Sequence, residues 1–551
     1  MITADAGRQS FGRGSASGRM LLRGAEILDG TGAAGYSADM RIRDGGIVEI
    51  GTRLARSEGE ASIDLEGHQL LPTFIDVHSH DDAALFRPHA VDPKLSQGVT
   101  TTVVGNCGHG VAPSVGGAGL QEYSVPVLGP LPPQSFSRFT DYLDALDVMP
   151  LDIDALALVP HAPLRAHVIG PEARAADSRE IQQMAGALDE ALRAGAAGLS
   201  LGLMYVPGSA ADDAELTALA QILARHGKLL VAHIRNEGGG LQASVDELLA
   251  LGRRTGCPVH ISHLKVTGRA NFGTMPAIIE RLDLARAQGT DVTADVYPYT
   301  AGSTTASTLL PSWVTERGTD SLLEVLSTSD LRRRALEEMR HPWSGPLENQ
   351  YCSAGPGSIL LAGFGRPEHA QLEGLVLADI AAAQSQEPAE CLADLLLAEG
   401  GVLTIVIHQS CPEGLREALS WPFTFIGSDG LPREEGYVHP RLFGAFPKTL
   451  SEFARAEKLM APEEAVRRMS TAPVARFGAG SSGLVVGAPA DLQIIDPTAY
   501  RDSADYRSPR QETAGLDAVV MRGGRVWPAP EMGRSAGAGR LIRAAQSGRT
   551  L

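Results

Sequence analysis

The sequence has few cysteines, few aromatic residues and no long apolar run. Its 551 residues include five cysteines, an odd and widely spaced set that excludes a framework of disulfide bonds. No apolar run reaches the roughly 18 residues that a transmembrane helix needs. Residues 1–19 are rich in Gly, Ser and Arg, so we expect a disordered extension there rather than a secretory signal. A cytoplasmic location is therefore expected.

A surplus of positive charge is also absent. Lys and Arg number 48 against 65 Asp and Glu, which gives a formal net charge of -17. Nucleic acids and anionic membranes attract basic surfaces, so this balance disfavours both as partners. It does not argue against a small anionic substrate, which responds to the local field of its pocket.

What the sequence does contain is a series of short β-branched runs separated by helical patterns. Helical apolar spacing, with Ser or Asp near the start, predicts helices over 178–194, 212–225 and 241–255. Eight strands that alternate with helices predict an α/β fold of the closed parallel type, the (β/α)8 TIM barrel. The predicted strands are 71–80, 99–104, 153–161, 197–203, 228–235, 258–265, 291–299 and 424–429.

The two ends of the chain differ from its middle. Short strand-like runs joined by glycine turns occupy residues 20–70 and recur within 481–551, and neither set is large enough to bury a core alone. We expect them to meet as one small β-sandwich domain, with a C-terminal tail, beside a barrel over 71–480. The connection between the seventh and eighth predicted strands, about 301–422, is unusually long. A connection of this length predicts a lid or an added subdomain over the barrel mouth.

Two histidines one residue apart, His78 and His80, end the first predicted barrel strand. Side chains two residues apart on a strand point to the same side, so these imidazoles can hold one metal ion. Such a pair also arises easily by chance. Its weight therefore depends on the residue types at the ends of the other predicted strands.

Further residues of the types that bind metals lie at the ends of several of these strands. Each has an ordinary interpretation by itself, as a structural histidine, an inert buried cysteine or an aspartate in a turn. The carboxyl ends of TIM-barrel strands form the active site, however, so all of these groups are expected to converge there. Their joint occurrence predicts a metal site. The groups are His78, His80, Cys107, His233, His263 and Asp429.

The motifs around these residues resemble the amidohydrolase superfamily and, within it, the N-acyl-D-amino-acid deacylase (D-aminoacylase) family. The resemblance extends over about residues 20–543. The His-x-His motif marks only the superfamily, whereas the Gly-Asn-Cys-Gly segment at 105–108 is much more specific. The matching segments are 74–82, 105–108, 233–237, 262–265, 295–299, 427–430 and 439–441.

The resemblance implies zinc-dependent hydrolysis of the amide bond of N-acyl-D-amino acids, which gives a carboxylate and a free D-amino acid. Many amidohydrolases bridge two metals with a carboxylated lysine on strand four, but 197–203 contains no lysine. Cys107 is implied as the bridging or principal ligand instead. It would form a tight site with His233 and His263, while His78 and His80 would hold a second, weaker site whose occupancy stays open.

The resemblance also implies roles for the polar residues around the metal. Asp429 is the expected acid/base, because zinc lowers the pKa of bound water toward about 7 and the hydroxide needs a group to take up its proton. Arg235 and Glu237 come shortly after a predicted ligand, and they either orient the metal ligands or form an ion pair. The residues expected to contact the substrate carboxylate are Lys265, Tyr297 and Ser303.

Two alternatives stay open at this point. Another amidohydrolase reaction, such as cyclic-amide hydrolysis, a dipeptidase or a deaminase, would use the same kind of metal site. A barrel that serves as a non-catalytic assembly subunit is a different class, and such proteins typically lose ligands. Met204, in the fourth predicted strand region, favours an apolar substrate side chain. No residue identifies the handedness of the substrate or the oligomeric state.

Overall fold

The computed structural model describes residues 18–114, 124–170, 172–478, 483–528 and 537–544. The extension predicted over 1–19 lies outside the described residues except for Gly18 and Arg19, as does the last part of the C-terminal tail. Three sheets organise the described residues: one from the two chain ends, one barrel, and one inside the insertion. None of the helices in these ranges has the length and apolar character needed to cross a membrane.

Strands from both ends of the chain form one eight-stranded sheet. Its strands are β1 (Arg19–Ile27), β2 (Tyr36–Arg43), β3 (Gly46–Gly51), β4 (Ala61–Asp64), β5 (Gln69–Pro72), β17 (Leu492–Ile495), β18 (Leu516–Met521) and β19 (Gly524–Trp527). The two ends join where β5 pairs antiparallel with β17, with Leu70 opposite Ile494. Leu22, Met40 and Leu492 are buried in the core of this sheet, so each end completes the core of the other.

The centre of the molecule is a barrel of eight parallel strands arranged in chain order. They are β6 (Phe74–Asp76), β7 (Val99–Val104), β8 (Asp154–Pro160), β9 (Gly198–Gly202), β10 (Leu229–His233), β11 (Val259–Ile261), β12 (Val292–Val296) and β16 (Thr424–Ile426). A parallel bridge between Ser79 and Gly430 joins the segments just beyond the first and last strands. The strands are buried along their whole length, as expected for a parallel sheet covered by helices. The predicted TIM barrel is confirmed.

The first predicted strand is divided in the structure. Residues Gln69–Pro72 belong to the sheet of the chain ends, and only Phe74–Asp76 belong to the barrel. An apolar run carries no mark of where one sheet ends and another begins, so the sequence could not show the division. His78 and His80 consequently lie beyond the strand. The carboxylate of Asp76 holds the turn by accepting the backbone N–H of His78 at 3.1 Å.

Helices connect the barrel strands at or near the predicted positions. Asp177 and Asp212 cap two of them by accepting backbone N–H groups of the first turn, the usual role of aspartate at a helix start. Gly227 ends the second in a left-handed conformation. The helices outside the insertion are Asp92–Leu95, Val125–Leu128, Phe139–Val148, His161–Ile169, Ser178–Arg193, Asp213–His226, Leu241–Thr255, Met275–Ala287, Arg441–Lys448, Pro462–Met469 and Thr471–Phe477, with a π-helical segment at Thr449–Ala456.

The insertion between β12 and β16 has a sheet and an apolar core of its own. Its antiparallel sheet has β15 (Thr404–His408) between β13 (Ala301–Thr305) and β14 (Ile359–Ala362). Leu336 and Leu392 lie in a buried cluster separate from that of the barrel. Its helices are Thr319–Ser327, Ser329–Met339, Gln350–Ala354, Leu377–Ala383, Pro388–Ala398 and Pro412–Ser420. The ends of β13 and β15 reach the barrel mouth, where they line the same cavity as the predicted metal ligands.

Candidate metal centre and active site

The six predicted groups come together at the carboxyl end of the barrel. They form two overlapping sets, and within each set the potential ligand atoms all lie within 4.8 Å of one another. Cys107 belongs to both sets, and every member is buried. The sets are Cys107, His233 and His263, which we call the three-donor group, and His78, His80, Cys107 and Asp429, which we call the four-donor group.

A tight turn after β7 places Cys107 where its sulfur belongs to both donor groups. Gly105 has φ 85°, and a side chain there would collide with the carbonyl oxygen of Leu158. Gly108 has φ 71°, and a Cβ there would lie 2.7 Å from the backbone nitrogen of Gly202. Glycine is thus required on both sides of the turn, which is the physical basis of the Gly-Asn-Cys-Gly motif.

Three of the candidate groups have a left-handed backbone, which is uncommon outside glycine. The φ angles are 53° at Cys107, 36° at His263 and 50° at Asp429. Such conformations cost on the order of 1–3 kcal/mol each and persist only where the surrounding structure imposes them. Here the strained backbone turns each side chain toward the common centre.

The three-donor group contains a thiol and two imidazoles from different strand ends. The Cys107 sulfur lies 3.4 Å from His263 Nε2, and that nitrogen lies 2.9 Å from His233 Nδ1. The other ring nitrogen of His233 is buried and makes no hydrogen bond within the described residues. Sulfur and imidazole donors in this arrangement match the ligands of a divalent metal such as zinc.

The four-donor group adds a carboxylate. The Cys107 sulfur lies 3.2 Å from His78 Nε2, and Asp429 Oδ1 lies 3.0 Å from His80 Nε2 and 3.5 Å from His78 Nε2. The Nδ1 atom of His80 is buried and, in the described ranges, has no hydrogen-bond partner. With these two distances, the Asp429 carboxylate faces both His78 and His80.

The imidazoles near Cys107 favour its ionised form. Burial alone would raise the pKa of the thiol, but the positive charges that His78 and His263 can carry hold it well below its usual range. A thiolate is the form of cysteine that binds metals. Burial and the positive charge of Lys265 would lower the pKa of His263. The negative charges of Glu237 and Cys107 outweigh both and raise it to about 9.

A buried carboxylate that the sequence analysis does not single out, Asp295, orients two site histidines. It accepts the backbone N–H of His263 at 2.8 Å and lies 3.1 Å from His78 Nδ1 and 2.9 Å from His260 Nε2. Burial would raise the pKa of Asp295, but His78 and His260 hold it well below its usual value. An anionic Asp295 holds the Nδ1–H of His78 and so leaves Nε2 free to face the centre.

Glu237 supports His263 from the other side. Its Oε1 lies 2.9 Å from His263 Nδ1 and accepts a 2.6 Å hydrogen bond from Lys265 Nζ. Burial would raise the pKa of Glu237, but Lys265 and His263 lower it to about 2. These contacts fit the predicted role of Glu237 in orienting a metal ligand.

Arg235 contacts none of the six candidate groups. Its Nε donates to Glu247 on the next helix at 2.9 Å, and its other nitrogens donate to the carbonyl oxygens of Ser209 and Ala211. Of the two predicted alternatives for Arg235, these contacts match the ion pair and do not support orientation of a metal ligand. The guanidinium is thus directed away from the donor groups, although Arg235 lies only two positions after His233.

Arg441, like Asp295, is a functional candidate that no local sequence pattern reveals. Its guanidinium pairs with Asp429, with Nη1 2.8 Å from Oδ2, and lies 4.5 Å from the ring centre of Tyr297. Burial would raise the pKa of Asp429, but Arg441 and His78 hold it well below its usual range. The only signal in the sequence was the segment 439–441 of the family resemblance, because nothing local shows that Arg441 turns inward.

Five of the six candidate groups, all except His78, border one cavity at the barrel mouth. Ser303 donates its hydroxyl hydrogen bond to the carbonyl oxygen of Ile405 at 2.8 Å, and burial raises the pKa of Tyr297. The lining includes the following residues of the barrel and the insertion: His80, Cys107, His109, Val127, Met204, Tyr205, His233, Glu237, His263, Lys265, Tyr297, Gly302, Ser303, Thr304, Gln350, Ile407, Gln409, Asp429, Leu431 and Arg441. The predicted carboxylate-binding residues Lys265, Tyr297 and Ser303 are thus brought together.

His109 borders the cavity but belongs to neither donor group. Its Nδ1 lies 3.2 Å from the Ser124 hydroxyl, and its ring packs edge-on against Tyr205. Burial, reinforced by His80, lowers the pKa of His109 to about 3. The residue is therefore neutral near pH 7.

The model of the amidohydrolase family matches residues 61–527. The chain belongs to this family. This amidohydrolase is 34% identical over 513 residues to a D-aminoacylase of Alcaligenes xylosoxydans xylosoxydans, an alignment that covers 92% of this chain and 94% of the relative. It is also 34% identical over 526 residues to an N-acyl-D-glutamate deacylase of the same organism, with coverages of 95% and 96%.

A solved relative has the same fold and contains metal. The crystal structure of N-acyl-D-glutamate deacylase from Bordetella bronchiseptica, in complex with zinc and a phosphonate that mimics the tetrahedral intermediate, matches with a TM-score of 0.79 and 33% identity. The match covers 95% of this amidohydrolase and 99% of the relative. The predicted family and enzyme class, a hydrolase of linear amides, are confirmed. The donor groups and the zinc in this relative together support a divalent metal in this amidohydrolase.

Proposed function

We propose that this amidohydrolase hydrolyses the amide bond of N-acyl-D-amino acids and releases a carboxylate and a free D-amino acid. The observation that carries the proposal is the convergence of the buried three-donor group and Asp429 on one cavity. The two relatives at 34% identity act on substrates of this class, as their names state. The D configuration is inferred from those relatives.

We propose zinc as the metal. Cys107, His233 and His263 would hold the tight site, and His78 and His80 would share Cys107 in a second, weaker site. A thiolate with imidazoles suits zinc, and the contacts of His233 Nδ1 and His80 Nε2 with other members of the donor groups fit a role as ligands. When bound, zinc polarises a carbonyl group and acidifies water.

Asp429 is proposed as the acid/base. Arg441 holds one of its oxygens, so the other is fixed toward His80 and His78, and the low pKa keeps the group ionised. An ionised carboxylate at this place takes the proton of the attacking water. The same oxygen then delivers the proton to the leaving nitrogen.

The substrate α-carboxylate is proposed to bind beside Tyr297. Lys265 Nζ and the Arg441 guanidinium lie 5.7 Å and 4.5 Å from the centre of its ring. Two cations beside the ring of Tyr297 make a local site for an anion in a protein whose net charge is negative. Ser303 borders the same cavity from the insertion. Binding here holds the scissile amide next to the donor groups.

A substrate panel combined with metal analysis of the same sample tests the proposal. The panel contains N-acetyl-D-amino acids and N-acetyl-L-amino acids, hydantoins, isoaspartyl dipeptides and adenine. We expect turnover of the N-acetyl-D-amino acids by protein that contains zinc. Turnover restricted to a cyclic amide or to the nucleobase would contradict the proposed deacylase reaction.

A further inference from the structure

The cavity at the barrel mouth has two chemically different walls. The barrel wall contains the donor groups and two cations, Lys265 and Arg441. The insertion wall contains Gln350 and Gln409 with Thr304 and apolar neighbours. The insertion therefore presents neutral polar groups to the part of the substrate that it contacts.

Both cations of the barrel wall already have anionic partners. Lys265 pairs with Glu237 at 2.6 Å, and Arg441 pairs with Asp429 at 2.8 Å. No other lysine or arginine lines the cavity within the part of the chain that the structure describes. One substrate carboxylate can bind near Lys265 and Arg441, but the insertion wall supplies no cation of its own for a second one.

The two glutamines form a pair with unused hydrogen-bonding capacity. Gln350 Nε2 donates to Gln409 Oε1 over 3.4 Å, and their exposed fractions are only 3% and 5%. The remaining oxygen of Gln350 is buried and, among the described residues, accepts no hydrogen bond. A buried unpaired acceptor costs free energy unless a ligand satisfies it.

Gln409 lies close to the backbone of β13. A Cβ at Gly302 would lie 2.8 Å from Gln409 Nε2, which is the end of a flexible side chain.

We infer that, within the proposed deacylase reaction, this enzyme selects N-acyl-D-amino acids whose side chain carries a carboxamide, and that Gln350 and Gln409 recognise it. A carboxamide offers two donors and one acceptor, so it can both donate to and accept from the glutamine amides that line the cavity. A carboxylate has no donor and must be buried there without a cation, which is costly. The inferred substrate differs in charge from the N-acyl-D-glutamate that one relative is named for.

The isosteric pair N-acetyl-D-glutamine and N-acetyl-D-glutamate tests the inference, with N-acetyl-D-methionine as the apolar reference. We expect kcat/KM for glutamine to exceed that for glutamate by at least about tenfold, and to exceed that for methionine. Equal or faster hydrolysis of glutamate, or methionine as the best of the three, would overturn the carboxamide inference while the deacylase proposal survives. Hydrolysis of none of the three would contradict the deacylase proposal itself.

Substitutions test the role of the two glutamines. Gln350→Leu and Gln409→Leu, which keep the approximate volume, should each lower the glutamine-to-methionine ratio of kcat/KM by about fivefold or more. Gln350→Lys adds a cation and should raise the glutamate-to-glutamine ratio. Gln288→Leu, at an exposed glutamine remote from the cavity lining, is the matched control. Unchanged ratios in both leucine variants, with melting temperatures near that of the wild type, would exclude the glutamines as the selective groups.

Discussion

The barrel mouth and the insertion border the same cavity but contribute opposite kinds of chemistry. On the barrel side, Lys265 and Arg441 have carboxylate partners, and the thiol, imidazoles and Asp429 meet within 4.8 Å of one another in each donor group. On the insertion side, the lining is uncharged, and one buried amide oxygen has no partner in the described residues. We propose that this difference separates bond cleavage, on the barrel side, from recognition of the substrate side chain, on the insertion side. Changes at the donor groups should affect metal content and kcat, whereas changes in the insertion should affect KM and selectivity.

The largest effect is expected from Cys107→Ala. Because Cys107 belongs to both donor groups, its removal should weaken metal binding by at least about 100-fold and turnover by more than about 10⁴-fold. Elemental analysis and kcat/KM measure the two effects. Cys257→Ala is the control, since Cys257 is a buried thiol outside both groups. Normal metal content in Cys107→Ala would refute its role as a ligand.

Asp429→Asn separates chemistry from metal binding. The amide keeps the size of the side chain but cannot accept the proton of water, so kcat should fall by about 10²–10⁴-fold while metal content stays near that of the wild type. Metal analysis and steady-state kinetics on the same preparation check both statements. A variant that retains the wild-type rate would assign the acid/base role to another group.

Two neighbouring residues of the barrel should differ in their effect. Glu237→Gln weakens the contact that orients His263, so metal affinity should fall by about 10- to 100-fold. Arg235→Gln removes an ion pair with Glu247 outside the site and should leave metal affinity unchanged. Chelator competition measures the affinities, and thermal unfolding monitors stability. Equal losses of metal affinity in both variants would contradict the proposal that Glu237, but not Arg235, orients a metal ligand.

The smallest effect is expected on the insertion side, at Ser303. Ser303→Ala removes a neutral hydroxyl that already donates to Ile405, so KM should rise by no more than about tenfold and kcat should stay constant. Ser327→Ala removes a similar hydroxyl-to-carbonyl bond far from the lining residues and is the matched control. A large fall in kcat for Ser303→Ala would place part of the chemistry on the insertion.

The barrel was predictable because its strands and helices carry local patterns. Short apolar runs, most of them with β-branched residues, mark the strands, and the metal-binding residue types occur at strand ends, where the fold brings them together. Asp295 and Arg441 could not be assigned in this way. Their importance lies in contacts with residues far away in sequence, 217 positions in the case of Asp295 and His78. No local sequence pattern marks Gln350 and Gln409 either, since their inferred role depends on the cavity wall that they form together.

The division of the first predicted strand shows a second limit. Pro72 and Phe74 lie in different sheets, although one apolar run contains both. Periodicity reports burial, and both sheets bury this run, so it cannot report which sheet is the partner. The pairing of β5 with β17 places β5 in the sheet of the chain ends, and β17 lies near the opposite end of the chain.

The order of the site residues along the chain has a consequence for biosynthesis. Cys107 and His263 are 156 positions apart, whereas His80 and Asp429 are 349 apart. A ribosome therefore produces every donor of the three-donor group long before it reaches the carboxylate beyond the last barrel strand. A polypeptide interrupted between His263 and Asp429 contains the thiol and both imidazoles of that group but lacks the proposed proton carrier, so we expect premature termination to yield an inactive fragment.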